Sequence, residues 1–171
     1  ALAAAAVGLL LGETPELIAQ GLVSYQASGM RQNIYEQDGY QIYADCYNAS
    51  PDAMEATLSV LGGMAGDGRR FAVLGSMLEL GDYAEEGHRR AGRAAAQYAD
   101  ALYAYGPDAA AMVAGAREKG MEHAYAFDDQ TALVAALRED AKKGDALLFK
   151  GSRGMRMERA LAMFLGEEVE A

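Results

Sequence analysis

One cysteine, no tryptophan, three prolines and two histidines are all that a chain of 171 residues contains of these types. Cys46 alone cannot form an intrachain disulfide, and a single thiol suggests no thiolate metal site. His88 and His123 are far apart and lack ligand spacing. Positive charge is scarce: 15 Lys and Arg stand against 25 Asp and Glu, a formal net charge of −10. A surface built to neutralise phosphate backbones is basic, so nucleic acid is not an expected partner. Long apolar runs are missing as well. The longest, Ala1 to Leu11 broken only by Gly8, falls short of the ~18–20 residues needed to span a bilayer. The first basic residue is Arg31, so no basic segment precedes the run as it would in a signal peptide. No membrane span and a cytoplasmic location are expected.

What is present is a foldable chain. Hydrophobic residues make up 51% and charged residues 23%, a balance far from that of disordered chains. At roughly 100–200 residues per domain the length fits one domain with a short addition, and a chain of this size can bury about 70% of its surface without disulfides or metals. The apolar start at Ala1 reads as the last turns of an Ala/Leu helix that begins upstream.

Further on, Thr14-Pro15-Glu16 supplies an N-cap, a first-turn proline and a first-turn acid for a short helix to about Leu22. Residues 31–37 and 40–47 read as strands joined by Asp38-Gly39, a strong hairpin signal. In the second strand Tyr40, Ile42, Ala44 and Cys46 share one face and Tyr43, Asp45 and Tyr47 the other. Ser50-Pro51 opens a helix whose apolar stripe is Met54, Leu58 and Leu61. Strands are then predicted at 70–76, 101–106, 122–127 and 145–150, each followed by a helix, near 84–98, 107–119, 129–142 and 154–166. This alternation predicts an α/β fold: a three-layer, mostly parallel sheet with an N-terminal β-hairpin and helices on both faces. A change of texture puts a boundary near residues 24–30.

No complete nucleotide-binding motif is present. Gly63 to Arg70 has P-loop glycine spacing but lacks its Lys and Ser/Thr, and it follows a helix instead of a strand. Ligands of open α/β sheets gather at the carboxyl ends of strands, which singles out three loops. In the first, Asp45 to Pro51, a charge late in an apolar strand needs a partner, and Asp45 and Tyr47 could address one ligand together. The second, Gly75 to Gly81, carries Met77, Leu78 and Leu80, apolar enough to pack on another domain. His88 follows between the i,i+4 pairs Glu85–Arg89 and Glu86–Arg90, on the face of Ala91 and Ala95, as a packed, hydrogen-bonded histidine. The third, Lys150 to Arg156, sets Lys150, Arg153 and Arg156 where a strand ends and a helix begins. Cations are electrostatically misplaced at a helix N-terminus, and an anionic ligand would resolve the conflict.

Taken in order, Gly29-Met30-Arg31, DCYNASP (45–51), VLGSMLELG (73–81) with His88 downstream, and KGSRGMRME (150–158) resemble the carboxy-terminal domain of the Mur ligases. Within that family the likeness is to the branch that adds D-alanyl-D-alanine to UDP-N-acetylmuramoyl-tripeptide. Ala1 to Tyr25 resembles the helical end of the family's central ATPase domain. The resemblance implies that residues 1–28 are a helical remnant of that domain with a linker, and that 29–171 form a Rossmann-like Mur ligase C-terminal domain. The activity implied is ATP-dependent amide ligation in peptidoglycan synthesis through an acyl-phosphate, with ATP and Mg²⁺ both held mainly by the central domain. Arg31, at the hinge, is then expected near the nucleotide phosphates, Asp45 at the ribose or setting the hinge, and Tyr47 and Asn48 along the ATP side. Lys150, Ser152 and Arg153 are expected to face the dipeptide, so that Lys150→Ala would mainly raise its Michaelis constant. The matched segment has no complete catalytic set and no metal ligands, and is expected to be inactive alone. One position departs from the family pattern: Ser76 stands where Gly-Asp-Met usually has its acid. Two other readings are a sister ligase, such as folylpolyglutamate synthase or another Mur ligase, and a free-standing α/β module binding a small anion or a protein. The DCYNASP and KGSR runs argue against the sister ligase.

Overall fold

The structure is a computed structural model that describes residues 1–24, 31–64 and 66–168. It begins with two short helices, α1 (Leu2–Leu10) and α2 (Pro15–Val23). The Thr14 hydroxyl accepts from Leu17 N–H at 3.3 Å, as the cap motif predicts. Neither helix has a buried residue, and Leu2, Leu10, Leu11 and Val23 are strongly exposed. The expected boundary between 24 and 30, and Gly29-Met30 with it, lies outside the described residues apart from Ser24.

The rest builds one six-stranded sheet. A hairpin, β1 (Asn33–Gln37) and β2 (Tyr40–Asp45), turns at Asp38 and Gly39, both at positive φ (53° and 87°), the geometry that matches strand twist. There follow α3 (Pro51–Gly62), β3 (Arg70–Gly75), α4 (Ala84–Tyr98), β4 (Ala101–Tyr105) and α5 (Ala109–Glu118). The last elements are β5 (Ala124–Phe127), α6 (Gln130–Asp140), β6 (Ala146–Lys150) and α7 (Met157–Leu165). Strand order is β1-β2-β6-β3-β4-β5; β1 pairs antiparallel with β2, and every other pairing is parallel.

Strand alternation sends side chains into two cores. Ala72, Leu74 and Leu148 meet Met54 and Leu58 of α3, Ala91 of α4 and Met112 of α5. Phe71, Val73 and Phe149 meet Leu133 and Leu137 of α6 and Leu161 and Phe164 of α7. The three layers expected from the βα alternation are therefore present, with α3, α4 and α5 on one face and α6 and α7 on the other.

Three local expectations change. Met77 is fully buried in this chain's own core and Leu80 packs against it, leaving only Leu78 exposed among the loop's three apolar residues. Glu85 pairs with Arg89 at 3.2 Å, but Glu86 reaches past Arg90 to Arg93. Arg90 instead crosses to α3, where it holds both Glu55 oxygens at 2.7 and 2.6 Å. That guanidinium keeps the Glu55 carboxyl below the usual carboxylate range. The final helix starts three residues later than predicted. Residues Arg153–Met155 form a single 3-10 turn, and Arg156 (φ 47°, ψ 48°) breaks the path before α7.

Candidate functional site at the carboxyl ends of β2, β6 and β3

Because β6 lies between β2 and β3, the loops after these three strands are neighbours, although they come from distant parts of the sequence. The chain leaves β2 and β3 toward the α3–α4 face and leaves β6 toward the α7 face. Adjacent strands whose connections diverge in this way open a crevice at their carboxyl ends, where open α/β sheets bind ligands. Gly75 and Gly151 let the loops close up. A Cβ on Gly151 would sit 3.1 Å from Gly75 Cα and 2.8 Å from Met157 Cγ.

Asp45 and Lys150 are register partners at the ends of β2 and β6. Lys150 is only 1% exposed and Asp45 only 7%. The Lys150 ammonium donates to Asp45 Oδ2 at 2.5 Å and to the Asn48 carbonyl at 2.8 Å. Asp45 Oδ2 also accepts from the Thr57 hydroxyl of α3 at 3.4 Å, and its Oδ1 from Gln32 N–H at 3.3 Å. The buried carboxylate thus has the partner that its place in an apolar strand demanded. The expected division into an ATP side and an acceptor side is crossed by this bond. Lys150 turns inward to residues of the first loop, and its ammonium is not presented at the surface of the third.

Tyr47 is half-exposed, with the Arg31 guanidinium carbon 3.9 Å from its ring centroid. Asp45 and Tyr47 therefore do not converge on one open position: the first is enclosed and the second faces outward under Arg31. The Asn48 side chain accepts from Ala49 N–H at 2.9 Å, and Ser50 caps α3 by accepting from Ala53 N–H at 3.3 Å.

The other two loops are stitched together. Ser152 Oγ accepts from Leu78 N–H at 2.8 Å, and Ser152 N–H donates to the Ser76 carbonyl at 3.3 Å. Ser76, fully buried, accepts on Oγ from Asp108 N–H at 3.0 Å and donates to the Tyr105 carbonyl at 3.4 Å. His88 is also fully buried. Its Nδ1 lies 2.6 Å from the Ala84 carbonyl, and its Nε2 accepts from Met77 N–H at 2.8 Å. A carbonyl only accepts and an amide only donates, so these partners assign the ring proton to Nδ1. His88 is the packed, hydrogen-bonded residue that its helix face predicted, and it pins the second loop.

Of the three cations of the third loop, Arg153 and Arg156 remain outward. Arg153 is half-exposed and pairs with Glu158 in the first turn of α7. The left-handed backbone at Arg156 is held by Gln130 of α6, whose amide donates to the Met155 and Arg156 carbonyls at 2.8 and 3.2 Å. Gln32, Thr57 and Gln130 all hold this site in place, yet none carried a signal in the sequence. Each acts through a fold neighbour distant along the chain: Asp45 for Gln32 and Thr57, and the Met155 and Arg156 carbonyls for Gln130. The i−4 bond of Thr57 to the Ala53 carbonyl is ordinary helix chemistry. Among the described residues, no group of three His, Cys, Asp or Glu is placed to hold a metal ion. The site offers stacking and cationic groups for an anionic ligand.

The family model "Mur ligase, glutamate ligase domain" matches residues 30–153, which runs from the residue before Arg31 through the first two loops and into the third as far as Arg153. The chain belongs to the Mur ligase family. This Mur ligase domain is 37% identical, over 161 residues and 92% of its length, to the UDP-N-acetylmuramoyl-tripeptide–D-alanyl-D-alanine ligase of Bacillus subtilis (strain 168), of which it covers 35%. It superposes on the MurF ligase of Thermotoga maritima in complex with ADP with a TM-score of 0.80 at 33% identity, covering 95% of this chain and 36% of that one. A MurF of Acinetobacter baumannii gives a TM-score of 0.81 at 30% identity, with 94% and 35% covered. The domain therefore spans about a third of the length of the relatives that it matches.

Proposed function

We propose that this Mur ligase domain is the carboxy-terminal part of a UDP-N-acetylmuramoyl-tripeptide–D-alanyl-D-alanine ligase, acting in the cytoplasm in peptidoglycan synthesis. The observation that carries the reading is the likeness across nearly the whole chain to ligases of that name, at 37% identity in Bacillus subtilis. The overlap of the family match with the three neighbouring loops supports it.

In this reading the tripeptide carboxylate attacks the γ-phosphorus of ATP, ADP leaves, and an acyl-phosphate forms. The amine of D-alanyl-D-alanine then attacks the acyl carbon, phosphate leaves, and a proton is lost from nitrogen as the amide forms. The domain serves as a lid that closes over the nucleotide and brings the acceptor to the acyl-phosphate. Tyr47 and Asn48 line the nucleotide side, and Arg31, released from Tyr47, meets the phosphates. Arg153, outward at the foot of α7, takes the dipeptide carboxylate, with Ser152 fixing its loop. Asp45 anchors the nucleotide-side loop from within. ATP binds chiefly to the part of the relatives that this chain does not span, and Mg²⁺ takes its ligands there.

The reading is tested by complementation. The complete reading frame that encodes this chain should restore growth to a bacterium depleted of its own D-alanyl-D-alanine-adding ligase. Arg153→Ala in that protein should raise the Michaelis constant for D-alanyl-D-alanine about tenfold, as expected for one lost charge-assisted bond. Failure to complement, with the protein folded and expressed, would overturn the assignment.

A further inference from the structure

Among the described residues, every partner of the Lys150 ammonium lies on the other side of the site from the loop that Lys150 begins. Its two acceptors are Asp45 Oδ2 at 2.5 Å and the Asn48 carbonyl at 2.8 Å. The first belongs to the end of β2, and the second to the segment that carries Tyr47 into the cap of α3. Asp45 in turn holds Gln32 N–H, one residue from Arg31, and the Thr57 hydroxyl on α3. A single buried cation therefore ties together the place where the chain enters the sheet, the loop 46–50 and the first turns of α3. Gln32 is held at φ 49°, a backbone state that persists for a non-glycine residue only where its surroundings fix it.

We propose that Lys150 is a positioning residue for the nucleotide side of the site, acting through Asp45 and the Asn48 carbonyl, and not a ligand of the acceptor. Without the ammonium, the Asn48 carbonyl loses its bond and the Asp45 carboxylate keeps only one amide and one hydroxyl. In a dry setting both groups then turn toward water. The displacement falls on residues 46–50 and on Gln32 beside Arg31. The third loop keeps its own anchors, because Ser152 is bonded to Leu78 and Ser76 and Gln130 holds Met155 and Arg156. Nucleotide binding should suffer while acceptor binding persists, the reverse of what the cation's place in the sequence suggests.

The inference rests on the proposed ligase reading, and its test separates the two. In the protein made from the complete reading frame, Lys150→Met is expected to raise the Michaelis constant for ATP about tenfold and that for D-alanyl-D-alanine less than about twofold. Thr57→Val, which removes one bond to Asp45 without stranding a charge, should move the ATP constant in the same direction by a smaller factor. It serves where Lys150→Met folds poorly. Amide hydrogen exchange in the same variants should rise at Gln32 and Ala49 and stay unchanged at Leu78. A rise confined to the dipeptide constant, or exchange that increases at Leu78 and not at Gln32, would overturn the positioning role. A wild-type protein without dipeptide-dependent turnover would instead refute the ligase reading, and exchange at Gln32 would still decide the role of Lys150.

Discussion

Lys150 and Asp45 hold opposite charges out of water, a costly arrangement unless every polar atom finds a partner. Here the partners are Asn48, Thr57 and Gln32. Breaking the pair from one side leaves an uncompensated charge. Lys150→Met should therefore lower unfolding stability by about 3–5 kcal/mol, and adding Asp45→Asn should restore much of it. Denaturant titration of the two variants measures both numbers. That Asp45 required a partner was legible in the sequence, because a carboxylate ends an otherwise apolar strand. Which partner was not, since Lys150 lies 105 residues away and only the insertion of β6 beside β2 brings it there. Cys46, one residue on, points into the opposite core and donates from Sγ to the Phe149 carbonyl at 3.3 Å. Burial, chiefly, pushes its thiol up to about 12. An unfolded thiol titrates near 8.5, so the unfolded state loses its proton first as pH rises. The contribution of Cys46 to stability should be intact below about pH 8.5 and decline as pH rises toward 12. Native protein at pH 8 should accordingly resist a thiol reagent that labels the denatured chain at once.

At the scale of elements, cap and turn chemistry was the most legible part. Thr14-Pro15, Asp38-Gly39 and Ser50-Pro51 each start or turn an element where the residues dictate. The alternation of strands and helices was legible for the same local reason. The order of the strands was not, because neither propensity nor periodicity says that the last strand enters between β2 and β3. Helix ends also escaped local signals where tertiary bonds fix them, as at Arg156, held by Gln130. The contact between α4 and α5 depends on two glycines. A Cβ on Gly92 would lie 1.8 Å from the Met112 carbonyl oxygen, and one on Gly115 would lie 2.0 Å from that of Arg89. Both obstacles are backbone, which cannot rotate away. Gly92→Ala should force the helices apart and cost about 1–3 kcal/mol despite alanine's better helix propensity, which thermal unfolding would show. At an exposed helical glycine such as Gly21, where nothing lies within 4 Å of the added Cβ, the same substitution should stabilise instead.

At the scale of the whole molecule, the domain spans about a third of the ligases that it resembles. Its site has stacking and cationic groups but, among the described residues, no metal-holding cluster. Stabilising phosphoryl transfer requires charge on both sides of the transferred group. The 171-residue chain by itself is therefore expected to show no ligase turnover and no ATP binding detectable by calorimetry at micromolar protein; sub-micromolar affinity would mean that the nucleotide is held here after all. Acceptor-dependent phosphate release tests whether this domain serves a D-alanyl-D-alanine-adding ligase. The protein made from the complete reading frame is given ATP, Mg²⁺, UDP-N-acetylmuramoyl-tripeptide and, in turn, D-alanyl-D-alanine, single amino acids or no acceptor. Among these acceptors, D-alanyl-D-alanine alone should give stoichiometric phosphate and amide product. Release driven by a single amino acid, or by L-glutamate with a folate in place of the tripeptide, would contradict it.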